Sequence, residues 1–469
     1  MSNQRTRKIN GGITEGSISS SIWKLAIPMM IGALLQNLFA LADLFFVGKL
    51  GHIEVAALSV SDIILGVIIM VAMGISSGAT VLISHFVGKK EYVNADSVLF
   101  QTVVISVVST IIMVFIGLFG TTWLLRLFGA TTSIIPAASE YLRISFICSI
   151  FIFLFIGLSQ ALRGSGDAVV PLKVLVFANL LNIALDPLFI FGWGFIPRME
   201  VAGSAVATVI SECVGVCMLL WHLFYGHSTL HFKKSILKIN ITLIARIFKI
   251  GIFASIEIFL RQISLLLLLH LVASFGETCI AAFGIVTHIR MAIMMLGLGM
   301  GIACSVIIGQ NMGAGHPDRA EEAGKKTLLY YEYIVIPTAI LFFIFAKSIV
   351  GAFNSHPEVV KIGSSFLRYI AVTLPFLASA LILGRGITGA GDTIAPAVMT
   401  GIFQLGFRIF VAYLMAIVIK FGTNGLWIGI NVSDICQGIT MLWYFKQGYW
   451  KKRYYKQRSV IDQENVVPA

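Results

Sequence analysis

Gly164-Ser165-Gly166-Asp167-Ala168-Val169-Val170-Pro171 and Gly389-Ala390-Gly391-Asp392-Thr393-Ile394-Ala395-Pro396 are one GxGDxxxP phrase written twice, and the step from Gly164 to Gly389 is an offset that recurs along the chain. At that same offset IWKLAIPMMIGALL from Ile22 falls on IFKIGIFASIEIFL from Ile247, Gly51 on Gly276, Ala56-Ala57 on Ala281-Ala282, Gly74 on Gly299 and Gly88 on Gly313. From Ile22 to Ser97, 19 of 76 positions are identical without a gap. The triplet from Tyr141 to Arg143 meets that from Phe366 to Arg368, and after a three-residue shortening Ser211-Glu212 meets Ser433-Asp434. Apolar composition produces chance identities. It does not place a matched polar loop and an aromatic-Leu-Arg triplet at one offset, so the chain is a duplicated unit.

What each unit is made of follows from composition. Of 469 residues 58% are hydrophobic and 12% charged, against about 25% charged in soluble domains; the mean hydropathy is +0.92. A chain so apolar needs lipid as its solvent, and lipid admits only helices and closed barrels. The apolar runs are about as long as a membrane helix and do not alternate, which selects helices. Twelve runs are predicted, at 22–46, 53–82, 97–120, 140–162, 169–192 and 201–225, then 247–273, 278–309, 326–346, 365–385, 395–419 and 424–446. The reading is an all-α polytopic membrane protein of twelve transmembrane helices in two six-helix lobes. Residues 1–21 form an N-terminal segment, 22–225 the first lobe, 226–246 a linker, 247–446 the second lobe and 447–469 a basic tail. The polar start leads into a full-length first span and not into the short apolar region of a cleavable signal peptide.

With both termini and the even-numbered loops inside, the inner segments carry 22 Lys and Arg and the outer loops 6. That bias sets the expected orientation, both termini cytoplasmic, in an inner or cytoplasmic membrane. It also accounts for the net charge of +12 without a nucleic-acid partner. The tail KKRYYKQR is expected to anchor at the membrane surface. An even number of spans per repeat makes the lobes parallel repeats about an axis along the membrane normal. This is an architecture of secondary transporters, in which a cleft between lobes would open alternately to each side.

The six cysteines lie in apolar runs without metal spacing and read as packing residues. No Walker loop, HExxH or CxxC occurs, so no ATPase or metalloenzyme chemistry is expected and the chain reads as a non-enzyme.

Ionisable residues at membrane depth are expensive and therefore candidate sites. In the first repeat Asp43 closes the first span, with Gln36 and Asn37 two turns before it. Asn179, Asn182 and Asp186 sit at i, i+3 and i+7 on the fifth span, one face of a helix. Pro187 cannot donate a backbone hydrogen bond and is expected to kink that span and free carbonyls. Carboxylates and carbonyls are what a small hard cation takes. Ser204, Thr208, Ser211 and Glu212 line the sixth span and Asp62 the second. Asp167 and Asp392, in the GxGD loops, read as helix caps. In the second repeat Glu257 and Arg261, four apart, are spaced for an intrahelical ion pair. Arg290, Arg408, His270 and His288 add positive or titratable character. The repeat partners of Asp43 and Asp186 are Leu268 and Val411. Acid chemistry kept by one repeat reads as a site rather than scaffold, so cation coupling is placed in the first lobe.

IPMMIGALLQN, ADLFFVGKLG with Asp43, RGSGD, LNIALDPLFIFGWG with Asp186, VAGSAVATVIS, KIGIFASIE and GAGD together resemble the multidrug and toxic compound extrusion (MATE) family across nearly the whole chain. The resemblance implies a V-shaped pair of six-helix bundles that exchanges Na⁺ or H⁺ for amphipathic, often cationic, aromatic compounds. In the branch that keeps an Asp on the first helix, it implies a cation cluster at Asp43, Asn182, Asp186 and Thr208, which would also be the metal ligands if the ion is Na⁺. Another branch uses a Glu on the seventh helix and an Asp on the tenth; here those positions fall on Arg261 and near Leu377. Gln36, Asn37 and Asn179 are expected substrate contacts. The expected partners are organic cations and the lipid bilayer, with no nucleic acid, no ATPase subunit and no cofactor beyond the coupling ion, the transporter acting as a monomer. A flippase for lipid-linked oligosaccharide is the alternative. It would line its cavity with Arg and Lys, which are few in the spans of the first repeat and which Arg261, Arg290 and Arg408 supply in the second.

Overall fold

The computed structural model describes residues 13–194, 196–226, 228–232 and 238–455, with backbone only for 37–40. The apolar runs are helices: α1 (Ile18–Val47), α2 (His52–Gly88), α3 (Tyr92–Phe119), α4 (Thr121–Leu127), α5 (Ile135–Ile147), α6 (Ser149–Gly164), α7 (Val169–Phe191) and α8 (Glu200–Tyr225), then α9 (Ile241–Ala273), α10 (Glu277–Gly313), α11 (Pro317–Phe353), α12 (Pro357–Gly389), α13 (Ile394–Thr400), α14 (Arg408–Tyr413) and α15 (Thr423–Gln447). Two π-helical stretches, Gly401–Phe407 and Leu414–Val418, flank α14. The one strand-like pairing among the described residues is a bridge between Trp193 and Ile196.

Ten segments, with 394–418 taken as one, are long and apolar enough to span a bilayer, and α5 with α6 makes an eleventh. That pair is bent by 53° at Cys148, where the sequence has neither Gly nor Pro. The run 140–162 therefore reads as a single span. α15 is more polar, but its 25 residues extend about 37 Å, beyond the roughly 30 Å hydrocarbon core. α7 continues as one helix through Pro187 to Phe191. Ile111, Phe115, Leu180, Ile344 and Phe410 each expose more than 60% of their surface, an apolar belt that suits lipid and not water.

The chain forms two compact units: Ile31–Ser255 is the body of one, and 13–30 with 256–455 that of the other. The unit boundaries thus fall inside α1 and α9 and not at the loop ends 22 and 247. Glycines show why. A Cβ on Gly74 would overlap Ser255, and one on Gly299 would overlap Met30. Residues 74 and 299 are repeat mates, and so are 30 and 255. Each contact joins the last part of a half-helix to the long second helix of its own unit, with no room for a side chain.

The GxGDxxxP phrase has the same account in both copies. Its first glycine is pressed on a neighbouring helix: a Cβ on Gly164 would overlap the backbone of α2 at Thr80, and one on Gly389 that of α10 at Ser305, again repeat mates. The second glycine takes a left-handed turn, φ 93° at Gly166 and 95° at Gly391, open to Gly at little cost. The aspartate accepts from the first turn of the next helix, Val170 N to Asp167 Oδ1 at 3.1 Å and Ala395 N to Asp392 Oδ1 at 3.3 Å. Pro171 and Pro396 fall in that turn, where no donor is needed. Burial opposes the charge of Asp167, but His222, 3.5 Å from Oδ2, and the amides of Val170 and Val169 hold its carboxyl below the usual carboxylate range. Gly389→Ala is expected to lower the apparent melting temperature in detergent by the equivalent of about 1–3 kcal/mol, the scale of overpacking. Gly284→Ala, in open space, should leave it unchanged or raise it. Equal stability of the two variants would refute the close-packing account.

Described parts of the linker are tied to α3. Asp96 accepts from His231 N at 2.9 Å, and Gln101 donates to Lys238 O at 2.9 Å and accepts from Asn240 N at 3.2 Å. The start of the basic tail is docked on its own unit: Lys451 meets Asp318 (3.3 Å) and Glu321 (2.5 Å), Arg453 meets Asp392 (3.2 Å), and Trp450 is fully buried. The rest of the expected membrane anchor, 456–469, lies outside the described residues.

Candidate functional site

In the first unit α7 packs on α8, and the polar stripe read at 179, 182 and 186 faces inward. Asn179 is 4% exposed, and Asn182 and Asp186 are fully buried. Asn182 Nδ2 lies between Asp186 Oδ1 (3.4 Å) and Thr208 Oγ1 of α8 (3.3 Å). Asp43, 7% exposed on α1, joins them, its carboxylate in side-chain contact with Asp186, Asn182 and Ser204. Three helices thus bring Asp43, Asn182, Asp186 and Thr208 to one point, with Ser204 as a fifth group that the α8 stripe contained but the expected cluster left out.

Charge is one-sided there. Asp62, open to the surface, accepts from Tyr141 Oη at 3.5 Å, and Asp62 and half-buried Glu212 both lie within electrostatic reach of Asp43. None of these four carboxylates forms a salt bridge among the described residues. Asp43 Oδ1, Asp186 Oδ2, Asn182 Oδ1, Asn179 Oδ1 and Ser204 Oγ are buried without a hydrogen-bond partner. Buried acceptors left unpaired cost free energy, so this set of carboxylate, amide and hydroxyl oxygens fits a proton or a small hard cation. No group of three His, Cys, Asp or Glu converges among the described residues.

Of the expected substrate contacts, only Asn179 lies on the α7 stripe of this set. Gln36 is exposed, the side chain of Asn37 lies outside the described residues, and Asn179 donates to Leu175 O at 2.9 Å.

The second unit has the opposite balance. Arg261 Nη2 meets Glu257 Oε1 at 2.8 Å. Arg408 Nη2 meets Asp434 Oδ1 at 2.6 Å, and Arg290 Nη2 lies 3.0 Å from Oδ2 at an angle too oblique for a hydrogen bond. Around them Gln404 donates to Gln437 (2.7 Å), Gln437 to Thr400 (3.1 Å) and Ser433 to Phe403 O (2.6 Å). Asp434 is the repeat mate of Glu212. Its pairing with Arg408 joins α15 to α14, and spacing along one helix does not signal a contact between two.

The family model described as MatE matches this chain twice, over residues 28–188 and 254–414. The chain belongs to the MATE family. The two matches fall on the two repeats, and the chain is a multi-pass membrane transporter of the multidrug efflux type, not an enzyme. Among curated relatives, "Probable multidrug resistance protein YoeA" of Bacillus subtilis is 27% identical over 94% of this chain and 97% of its own length. "Probable multidrug resistance protein NorM" of Thermotoga maritima is 26% identical over 96% of each. The fold matches the crystal structure of MATE in the bent conformation with a TM-score of 0.89, at 24% identity, over 96% of this chain and all of that one.

Proposed function

We propose that this MATE transporter is a secondary antiporter that exports amphipathic organic compounds, cationic ones among them, in exchange for Na⁺ or H⁺ bound at Asp43, Asn182, Asp186 and Thr208. The carrying observation is the contact between Asp43 and Asp186 at near-complete burial, with no basic partner among the described residues and with orphaned oxygens on both. Two carboxylates in contact repel when both are ionised, and burial raises the cost. A proton or Na⁺ removes that repulsion. An organic cation removes it too, so the ion and the drug exclude one another, and exclusion of this kind is what antiport requires. Ser204 completes the oxygen set, and exposed Asp62, within electrostatic reach of Asp43, is the group we assign to receive the incoming ion. The orientation that goes with this reading has both termini cytoplasmic, in the cell membrane.

An oligosaccharide-lipid flippase would have to carry a diphosphate past the first unit, whose inner charges near Asp43 are all acidic, so antiport is the better reading.

The test is ethidium transport in proteoliposomes under an imposed Na⁺ gradient, an imposed pH gradient, or neither. Transport should accelerate under one of the gradients and be abolished by collapsing it. Rates indifferent to both gradients would refute coupling.

A further inference from the structure

Four guanidiniums in the second unit share two carboxylates. Glu257 is paired with Arg261, and Asp434 lies between Arg408 and Arg290. Arg385 forms no salt bridge among the described residues, although Glu257 and Arg261 lie within its electrostatic reach. Arg408 feels both Arg290 and Arg261. The group is one cluster with a formal surplus of two positive charges, set among membrane-spanning helices.

Two observations point outside the cluster for its partner. Arg408, whose side chain is 7% exposed, has an Nε without a hydrogen-bond partner. Residue 408 also sits between two π-helical stretches, 401–407 and 414–418. The matching part of the first repeat lies in α7, an ordinary α-helix. π-turns are frequent at functional sites, and these stand in the repeat that carries the arginines. Arg261 and Arg290, 23% and 15% exposed, are the members open to a ligand, with Arg408 behind them holding Asp434.

We propose that this cluster binds the phosphate group of an amphipathic ligand. A phosphate monoester carries close to two negative charges at neutral pH, which matches the surplus. Its oxygens suit the forked donors of Arg, which bind phosphate two-pronged where Lys offers a point charge. The phosphate belongs to a solute or to a lipid headgroup. The proposal adds a ligand class to the transport reading and rests on that reading only for what binding is used for.

Purified full-length protein in phosphatidylcholine nanodiscs is titrated with FMN and with riboflavin, which differ only by a phosphate, and binding is read by flavin fluorescence anisotropy. FMN is expected to bind about tenfold tighter or more, the scale of one charge-assisted hydrogen bond. The double variant R290Q/R385Q leaves Glu257–Arg261 and Asp434–Arg408 as two balanced pairs and should erase the preference. R290K/R385K, which keeps the surplus without the forked donors, should keep part of it. R385Q alone breaks no salt bridge among the described residues; it should reduce the preference and serves as the test if the double variant does not fold. Nanodiscs containing phosphatidic acid separate the sources. Loss of the FMN preference there assigns the site to a headgroup, and its survival assigns it to a solute. The proposal falls if the wild-type protein binds both flavins equally, or if the variants lacking the surplus retain the preference. No ion gradient enters this measurement, so its failure leaves cation coupling in the first unit standing, and failed coupling leaves the binding result standing.

Discussion

Asp43→Asn is expected to yield a transporter that inserts and folds but no longer converts an ion gradient into ethidium efflux, its initial rate falling roughly tenfold or more, to that measured without a gradient. Asn keeps the size and one carbonyl oxygen of Asp but can neither take up a proton nor supply a charge to Na⁺. An ionised group at membrane depth is worth several kcal/mol, and a difference of about 1.4 kcal/mol is already a factor of ten. Stability should move the other way. Asp43 has no basic partner among the described residues and an orphaned Oδ1, so removing its charge relieves repulsion with Asp186, and the variant should melt no lower than wild type in Na⁺-free buffer. If Na⁺ is the ion, wild type should gain stability as Na⁺ rises, by about 2.7 kcal/mol at one hundred times Kd, and the variant should gain none. If the proton is the ion, the same contrast appears as a loss of pH-driven transport. Asp186→Asn should behave likewise, because the two carboxylates form one unit. Full gradient-driven efflux by a well-expressed Asp43→Asn protein would sink the coupling account.

What the sequence made legible here was set by repetition and by local spacing. The constant offset announced two lobes, and it also ties Gly74 and Ser255 to Gly299 and Met30, contacts that require half of α1 and half of α9 to be packed alike. The stripe at Asn179, Asn182 and Asp186 was readable because one helix carries it. Asp43 joined it through family resemblance, since no local rule says which helix will face α7. Ser204 was readable as polar but not as a partner of Asp43, a question of helix rotation. The bend at Cys148 left no mark, because neither Pro nor Gly stands there, and no spacing rule signals the π-helical stretches around Arg408. The Asp434 pairs stayed hidden for a different reason. Salt bridges between helices depend on tertiary placement, and hydropathy registers only that the charges are present.

Asp434→Asn should be among the most destabilising single changes in the second unit, by about 3–5 kcal/mol, the cost of removing one partner from a buried ion pair. The side chain is 1% exposed and accepts from Arg408 at 2.6 Å, with Arg290 at 3.0 Å from its other oxygen. Asn would leave both guanidiniums in a cluster that already carries more positive than negative charge. Its repeat mate supplies the control. Glu212 occupies the equivalent position in the first unit, but its charged neighbour is Asp43 and it has no salt bridge among the described residues, so Glu212→Gln removes repulsion and should melt no lower than wild type. Apparent melting temperatures of the two purified variants in one detergent decide the matter. Similar losses for both would mean that the two positions act as scaffold for the duplicated fold. A loss confined to Asp434→Asn would mean that one inherited carboxylate was given counter-charges in one lobe and left for a mobile cation in the other.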